Sequence, residues 1–308
     1  MLRIENLTKK YDKLTAVNNL NLSLEAGDIM GFIGPNGAGK TTTIKMVSTL
    51  LKPTSGTVYV DDIDVLKYPE KIRPLIGYMP DFYGLYDDVK VWEYLDFFAS
   101  AYKVPSNKRK SLINDVLELT DLTIKYDSFV SELSRGMQQR LCLAKTLVHD
   151  PKLLLLDEPA SGLDPRARID IKELLKELRK MGKTILVSSH ILPELADFCN
   201  KVAIIEQGNL VVSGDVDSIM NQCRGGTMLK ISVVDRVEQA VVFLETLENL
   251  NEIDCSDSVI TAKYIGKEEE HYAILEALTK AGFKVKSFSE AELDLEDVFM
   301  RVTRGAVS

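Results

Sequence analysis

A glycine-rich segment near the N-terminus carries the clearest chemistry in the chain. Gly34-Pro-Asn-Gly-Ala-Gly-Lys40-Thr41 fits the phosphate-binding pattern G-x-x-x-x-G-K-[ST] at each position. Glycines there let backbone amides converge on phosphate oxygens, and a following helix adds the positive end of its dipole. Lys40 can reach the β- and γ-phosphates, and the Thr41 hydroxyl can ligate Mg²⁺. The candidate nucleotide-binding residues of this loop are Gly34, Pro35, Asn36, Gly37, Ala38, Gly39, Lys40, Thr41 and Thr42.

A second chemical group follows an apolar run. Leu153–Leu156 precedes Asp157 and Glu158. A carboxylate at the end of a buried strand can hold the Mg²⁺ shell in phosphate-loop ATPases, which is the role predicted for Asp157. Glu158 is then placed to act as general base toward an attacking water. The Asp-Glu pair is weak support by itself, but with the phosphate loop it predicts a nucleotide hydrolase.

The elements that must position these residues alternate between strands and helices. Residues 28–33 form an apolar strand before the phosphate loop, and residues 41–51 have helical spacing up to Pro53. Strands are predicted at 153–156 and 184–188, with an amphipathic helix over 167–181 between them. The fold class is therefore predicted to be α/β.

Two parts of the chain depart from this alternation. Strand signals are absent between Asp87 and Ser131, which predicts an inserted helical subdomain over about residues 84–150 of a first domain at 1–222. A break near Gln222–Gly226 precedes a small α+β domain at 227–308. Its predicted elements are strand Met228–Val234, helix Val237–Leu247, strands near Ile253 and at Val259–Tyr264, helix Glu268–Ala281, strand Phe283–Phe288 and helix Leu293–Val302.

Composition sets limits on partners and location. The 308 residues carry a net charge of -8, which argues against nucleic acid as the main partner. No signal-peptide pattern and no apolar run of about 18 residues is present, so we expect the chain not to cross a membrane by itself. The four cysteines are scattered and lack CxxC spacing, which fits reduced thiols in a cytosol.

A third motif selects among nucleotide hydrolases. Leu133-Ser-Arg-Gly-Met-Gln-Gln-Arg140 stands shortly before Asp157 and resembles the signature of ABC-type ATPases. With the motifs in family order over about residues 1–220, the chain resembles the ATP-binding subunits of ABC transporters. The C-terminal domain, with Leu293–Met300, is similar to the accessory domain of bacterial two-component drug and lipid exporters. This resemblance implies a RecA-like sheet with a helical subdomain.

The resemblance also implies roles for further residues. Tyr11 stands where the family has an aromatic residue that stacks on adenine, and His190 matches the histidine that contacts the γ-phosphate. Ser134 and Gly136 would contact the ATP held by a second cassette. Asp164, in the sequence Ser-Gly-Leu-Asp, matches the loop that communicates between cassettes. The implied cofactors are ATP and Mg²⁺.

Three positions depart from the family pattern. Asp81 stands where the family usually has glutamine; its carboxylate can still supply an oxygen to Mg²⁺, but it adds negative charge beside the γ-phosphate. Arg135 and Met137 replace the commonest glycine and glutamine of the signature. Ser134 and Gly136 are retained, so we expect a working site.

The function implied is ATP hydrolysis that drives transport, and export in particular, through a separate membrane-spanning permease. The cassette would lie on the cytoplasmic face of the membrane and form a homodimer, with a heterodimer left open. A soluble ABC protein acting on ribosomes or DNA is the alternative, but the single phosphate loop, the lack of sustained heptads and the acidic charge disfavour it. A small-molecule kinase would leave Ser134, Gly136, Asp164 and His190 unexplained. The transported substrate cannot be read from this chain.

Overall fold

The computed structural model describes residues 1–82, 84–191, 195, 197–216, 218–219, 227–256, 259–266 and 270–290. Two compact units divide after Val216. The predicted domain boundary near residue 222 and the predicted helix Leu293–Val302 lie outside the described residues. Among the described helices, none is both long and apolar enough to span a bilayer.

The first unit contains two sheets. Its strands are β1 (Leu2–Tyr11), β2 (Leu14–Leu24), β3 (Ile29–Ile33), β4 (Ser55–Val60), β5 (Ile63–Asp64), β6 (Ile76–Met79), β7 (Leu153–Asp157), β8 (Thr184–Ser189), β9 (Lys201–Glu206) and β10 (Asn209–Asp215). A six-stranded sheet has the order β10-β9-β3-β8-β7-β6 and is parallel except for the β9–β10 pair. An antiparallel sheet has the order β2-β1-β4-β5.

The helices of this unit are α1 (Lys40–Val47), α2 (Pro69–Ile72), α3 (Val91–Ala101), α4 (Ser106–Leu119), α5 (Arg135–Leu147) and α6 (Pro165–Lys180), with short 3-10 turns at Arg73–Leu75, Thr123–Lys125 and Val130–Glu132. One core joins both sheets and α1, and Leu7, Phe32 and Ile44 within it are fully buried. Strands β3 and β7 are buried along their whole length, because a parallel sheet covered on both faces leaves no polar side.

The predicted helical insertion is confirmed by α3, α4 and α5. Helix α6 follows its predicted span closely: the Asp164 side chain caps its start by accepting from the Ala167 amide at 3.0 Å. Gly182, with φ 84°, follows its end and donates to the Arg179 carbonyl. Both ends of α6 are thus fixed by local hydrogen bonds.

One helix is shorter than predicted. The helical spacing of apolar residues predicts that α1 continues to Leu51, but the helix ends at Val47. Thr49 has φ 66°, so the chain turns out of the helical conformation there. Leu50 is 62% exposed as a result, and does not join the apolar face of the helix.

The second unit is a small α+β fold, as predicted. It contains β11 (Thr227–Val233), α7 (Val237–Glu245), β12 (Leu250–Ser256), β13 (Val259–Tyr264), α8 (Tyr272–Lys280) and β14 (Val285–Glu290). The antiparallel sheet has the order β12-β13-β11-β14, so this βαββαβ chain has a ferredoxin-like arrangement. Its own core includes Leu229, Ile260 and Leu278.

Candidate active site

The predicted chemical groups meet at one edge of the six-stranded sheet. Strands β3, β8, β7 and β6 are adjacent and parallel, so their carboxyl ends lie side by side. The phosphate loop follows β3, Glu158 follows β7, and His190 follows β8. Asp81 comes two residues after β6. Ligands of parallel α/β sheets bind at this edge, where the loops open away from the strands.

The shape of the phosphate loop requires glycine immediately before α1. Gly39 has φ 111°, which side chains rarely allow. A Cβ atom there would lie 2.5 Å from the Ala16 carbonyl oxygen, so the backbone of β2 also excludes a side chain. The loop is therefore packed against its neighbours before any nucleotide arrives.

Lys40 is held inside this loop. Its Nζ donates to the Gly34 carbonyl at 2.7 Å and to the Pro35 carbonyl at 3.3 Å. The same atom lies 3.4 Å from Oε1 of Glu158, and the lysine side chain is 6% exposed. The ammonium group thus has backbone and carboxylate partners that nucleotide phosphates would replace or join.

Glu158 connects Lys40 with His190. Its Oε2 lies 2.9 Å from Nδ1 of His190, and its side chain is 11% exposed. The residue itself has φ 51°, an uncommon backbone conformation for a non-glycine residue and one found at functional sites. Glu158 therefore presents one carboxylate oxygen to the lysine of the phosphate loop and the other to the histidine.

Ser188 is a site residue that the sequence interpretation missed. Its hydroxyl donates to Oδ1 of Asp157 at 2.7 Å and accepts from the Glu158 amide at 3.0 Å. The parallel register places Ser188 opposite Asp157. Its signal in the sequence is the pair of hydroxyl residues Ser188 and Ser189 after the apolar residues 185–187, and this signal becomes informative only when the strand order is known.

Asp157 is suited to hold a divalent cation. It is 1% exposed, and its Oδ2 is buried without a hydrogen bond from the described residues. Thr41, in the first turn of α1, is the hydroxyl that the phosphate-loop pattern assigns to the same ion. Among the described residues, no group of three or more His, Cys, Asp or Glu is arranged to bind a metal alone. A Mg²⁺ ion here would accordingly share its shell with phosphate oxygens and water.

The site is electrostatically crowded. Burial, together with the negative charges of Asp157 and Glu158, raises the pKa of Asp81. Burial and the charges of Asp157 and Asp81 raise the pKa of Tyr78, on β6, to about 12. The carboxylates therefore repel one another, and a bound cation would relieve that repulsion.

The remaining candidate residues lie on separate elements. Ser134 caps α5 and accepts from the Met137 amide at 3.4 Å, and Gly136 lies in the first turn of that helix. Asp164 caps α6. Tyr11 ends β1, is 44% exposed, and has Nζ of Lys9 5.0 Å from its ring centroid. No hydrogen bond or ion pair in the described part of the chain joins Ser134 to Lys40, Glu158 or His190.

A phosphate loop, a buried aspartate, a neighbouring glutamate and a histidine at one edge of a parallel sheet define a phosphate-loop nucleotide hydrolase. Residues 17–161 match the family described as ABC transporter. The linearmycin resistance ATP-binding protein LnrL of Bacillus subtilis is 30% identical over 98% of both chains. The bacitracin transport ATP-binding protein BcrA of Bacillus licheniformis is 33% identical over 99% of this chain and 98% of its own. A Nod factor export ATP-binding protein I of Burkholderia pseudomallei is 33% identical over 97% and 95%. The chain belongs to the ATP-binding subunits of ABC transporters.

Solved structures support the same assignment. An ATP-binding subunit of an ABC transporter has a TM-score of 0.66 and 29% identity, covering 72% of this chain and 93% of its own. A dimeric, post-hydrolysis ATP-binding cassette bound to ADP and Pi has a TM-score of 0.64 and 27% identity, covering 70% and 99%. The chain is an ATPase of this family, whose subunits dimerise and work with a membrane permease.

Proposed function

We propose that ATP hydrolysis by Lys40, Glu158 and His190 drives export through a separate membrane-spanning permease. The arrangement that carries this proposal is the Glu158 carboxylate, which lies 3.4 Å from Lys40 Nζ and 2.9 Å from His190 Nδ1. A general base for water and two groups that contact the γ-phosphate are thereby held at one point.

Each residue has a distinct role in the proposed reaction. Lys40 exchanges its bonds to backbone carbonyls for bonds to the β- and γ-phosphates. Thr41 and Asp157 would hold Mg²⁺, which would offset negative charge on the phosphates. Glu158 accepts a proton from the attacking water, and His190 orients the Glu158 carboxylate and contacts the γ-phosphate. Tyr11 stacks on the adenine ring through its exposed face.

The working unit is proposed to be a head-to-tail homodimer. Ser134 and the Gly136 amide of one cassette donate to the γ-phosphate of ATP held by the other, and Asp164 lies in the loop between cassettes. Ser134 is exposed at the start of α5, so its hydroxyl is accessible to a partner's nucleotide. Every catalytic position is filled in this chain, so a second, different cassette is unnecessary.

An aromatic surface on the helical subdomain fits a permease. Tyr86 and Phe97 are 59% and 56% exposed, and their ring centroids lie 6.1 Å apart. Phe98, whose ring lies 5.2 Å from that of Phe97, also lines a cavity of about 220 Å³ next to Tyr78. Exposed aromatic residues are typical of protein interfaces. Tyr78, which lines this cavity, is only three residues before Asp81, at the sheet edge that holds the proposed catalytic residues. A permease bound at the aromatic surface would therefore lie near that edge.

Export and location are inferred from relatives. Three relatives of this chain are named for Nod factor export, bacitracin transport and linearmycin resistance, which fit outward transport. On that basis the cassette is proposed to lie on the cytoplasmic face of the membrane. The exported compound would be selected by the permease.

The test is an affinity purification of the Glu158→Gln variant from detergent-solubilised source cells with ATP and Mg²⁺. A polytopic membrane protein in roughly equal amount is expected, since the bound nucleotide keeps the cassette dimer closed. Recovery of ribosomal or DNA-bound proteins without a membrane partner would overturn the proposal.

A matched pair of surface variants makes the test specific. Changing Tyr86 and Phe97 together to serine should abolish recovery of the membrane protein while ATP binding is retained. Ile169→Ser, at a position on α6 that is 59% exposed, should leave recovery unchanged. Equal recovery with both variants would exclude the aromatic surface as the permease contact.

A further inference from the structure

A groove on the first unit lies between α4, the end of α5 and the end of α6. Its volume is about 470 Å³, which falls within the usual range for small-molecule sites. The buried side chains of Val116, Leu147 and Leu178 form its floor, one from each helix. Met181, directly after α6, also lines the groove and is 57% exposed. The packing of the three helices therefore leaves an open apolar depression between them.

Helix α4 has apolar side chains on two sides. Ile113 and Leu117 are buried and do not line the groove. Leu112, Val116 and Leu119 do line it, and they recur at positions i, i+4 and i+7, which places them along one face of the helix. Leu112 and Leu119 are only partly buried. An apolar stripe that remains partly exposed along a groove is typical of a binding site.

The charges around the groove are unbalanced. Asp115 and Glu118, both exposed on α4, line it, and neither side chain has an ion pair or hydrogen bond within the described part of the chain. Lys183 is the only cation among the described residues that line the groove. Its Nζ already contacts Asp150 and donates to the Pro151 carbonyl at 2.8 Å. The two carboxylates of α4 therefore give the groove a negative potential.

The groove is separate from the nucleotide site. Asp150 and Lys183 precede β7 and β8, whereas Glu158 and His190 follow these strands. Because β7 and β8 are parallel, the two pairs of residues lie at opposite edges of the sheet. An occupant of the groove would therefore bind without displacing a nucleotide from the phosphate loop.

We propose that the groove binds an amphiphilic cation, a small organic molecule with an apolar ring system and a protonated amine. The rings cover the floor formed by Val116, Leu147 and Leu178, and the ammonium group lies near Asp115 and Glu118. A neutral molecule of the same shape would leave both carboxylates without a partner, and an anion would be repelled. Both carboxylates are exposed, so water screens them; the apolar contact supplies most of the affinity and the charge selects among ligands.

A series of three naphthyl compounds tests this site. Naphthylethylamine, naphthylethanol and naphthylpropionate share one ring system and are cationic, neutral and anionic at neutral pH. Isothermal titration calorimetry at low salt measures their binding to the full chain. The amine should bind about fivefold more tightly than the alcohol, as expected for partly screened ion pairs, and the acid more weakly than either. Saturating ATP should leave the affinity for the amine unchanged.

Matched variants separate charge from apolar contact. Asp115→Asn together with Glu118→Gln should remove the preference for the amine and leave the affinity for the alcohol unchanged. Glu173→Gln, at an exposed position of α6 that does not line the groove, should keep the full preference. Leu119→Ser should weaken the binding of the amine and the alcohol by a similar, several-fold factor. Each variant should turn over ATP as wild type does, which shows that it is folded.

Other results overturn the proposal. Equal affinities for the amine and the alcohol, or a preference that survives the change of both Asp115 and Glu118, would show that the carboxylates do not select the ligand. Competition with ATP would place the amine at the nucleotide site. Absence of saturable binding by all three compounds would exclude a small-molecule site. If the chain then forms a dimer that Leu112→Glu dissociates in sedimentation, a second copy of the chain covers the groove instead.

Discussion

Nδ1 of His190 lies 2.9 Å from Oε2 of Glu158 although the two residues are 32 positions apart in the chain. They meet because β7 and β8 are neighbouring parallel strands and each residue directly follows its strand. The histidine thereby limits the positions available to the carboxylate that we propose acts on water. Catalytic geometry in this cassette depends on strand order as much as on the motifs themselves.

Replacing Glu158 with glutamine should separate binding from turnover. The amide keeps the shape of the side chain but cannot accept a proton from water, so we expect ATP binding to persist and kcat to fall about 10²- to 10⁴-fold. Fluorescent-nucleotide titration and phosphate release measure the two quantities. Glu173→Gln, at an exposed position on α6, is the control and should behave as wild type. Lys40→Ala should abolish hydrolysis, and normal activity in either active-site variant would contradict the assigned site.

Ser188→Ala should weaken the response to Mg²⁺. The change removes the 2.7 Å bond to Asp157 and the acceptor for the Glu158 amide, so both residues lose a fixed position. We expect turnover to fall by roughly tenfold and the Mg²⁺ concentration for half-maximal activity to rise, a size typical for a residue that orients a metal ligand. Ser213→Ala, at an exposed position on β10, provides the comparison. An unchanged Mg²⁺ titration for Ser188→Ala would argue against this orienting role.

Asp81→Asn should strengthen ATP binding when Mg²⁺ is absent. The carboxylate of Asp81 lies in the field of Asp157 and Glu158, and its removal lowers the repulsion toward phosphates by an amount that gives roughly a several-fold gain in affinity. Titrations with ATP and EDTA measure this directly. With Mg²⁺ present the gain should shrink or reverse, because the lost carboxylate can no longer contribute to the metal shell. Equal gains in both conditions would exclude contact between Asp81 and the ion.

The Asp28–Lys201 pair should give a pH-dependent contribution to stability. Burial by itself would raise the pKa of Asp28, but the bonds from Lys201 at 2.9 Å and Asn200 at 2.7 Å outweigh it and lower that pKa. The bond to Asp28 raises the pKa of Lys201. The stabilisation is therefore present above the ordinary aspartate value of 3.8 and is lost as pH falls through the lowered pKa. On the alkaline side it is lost as pH rises above the ordinary lysine value of 10.5.

Asp28→Asn should accordingly lower the free energy of unfolding by about 1–3 kcal/mol at pH 7. The difference from wild type should narrow as the pH falls from 3.8 through the lowered pKa of Asp28, because the native carboxylate becomes protonated there. Chemical denaturation at several pH values measures both quantities. A destabilisation that stays constant across this range would mean that the ion pair is not its source.

Local patterns in the sequence were sufficient for the parts of the site that are continuous in the chain. The phosphate loop and the Asp157–Glu158 pair were predicted from consecutive residues, as were the buried runs that became β3 and β7. The end of α1 was misplaced because helical spacing continues through Leu50, whereas Thr49 leaves the helical backbone. Helix propensity does not indicate that the backbone of Thr49 leaves the helical conformation.

Contacts between distant elements could not be predicted in the same way. Ser188 reaches Asp157 through the pairing of two parallel strands, and Gln139 reaches Pro159 through the packing of α5. Neither partner is implied by spacing within its own segment.

The full burial of β3 and β7 has a consequence for hydrogen exchange. Both strands have a paired neighbour on each side in the six-stranded sheet, so their amides should exchange with solvent mainly when the whole first unit opens. The residues that follow these strands are consequently attached to the most slowly exchanging part of the unit. Heat inactivation of the ATPase should then coincide with loss of protection at these amides, and not with earlier fraying of the surface helices.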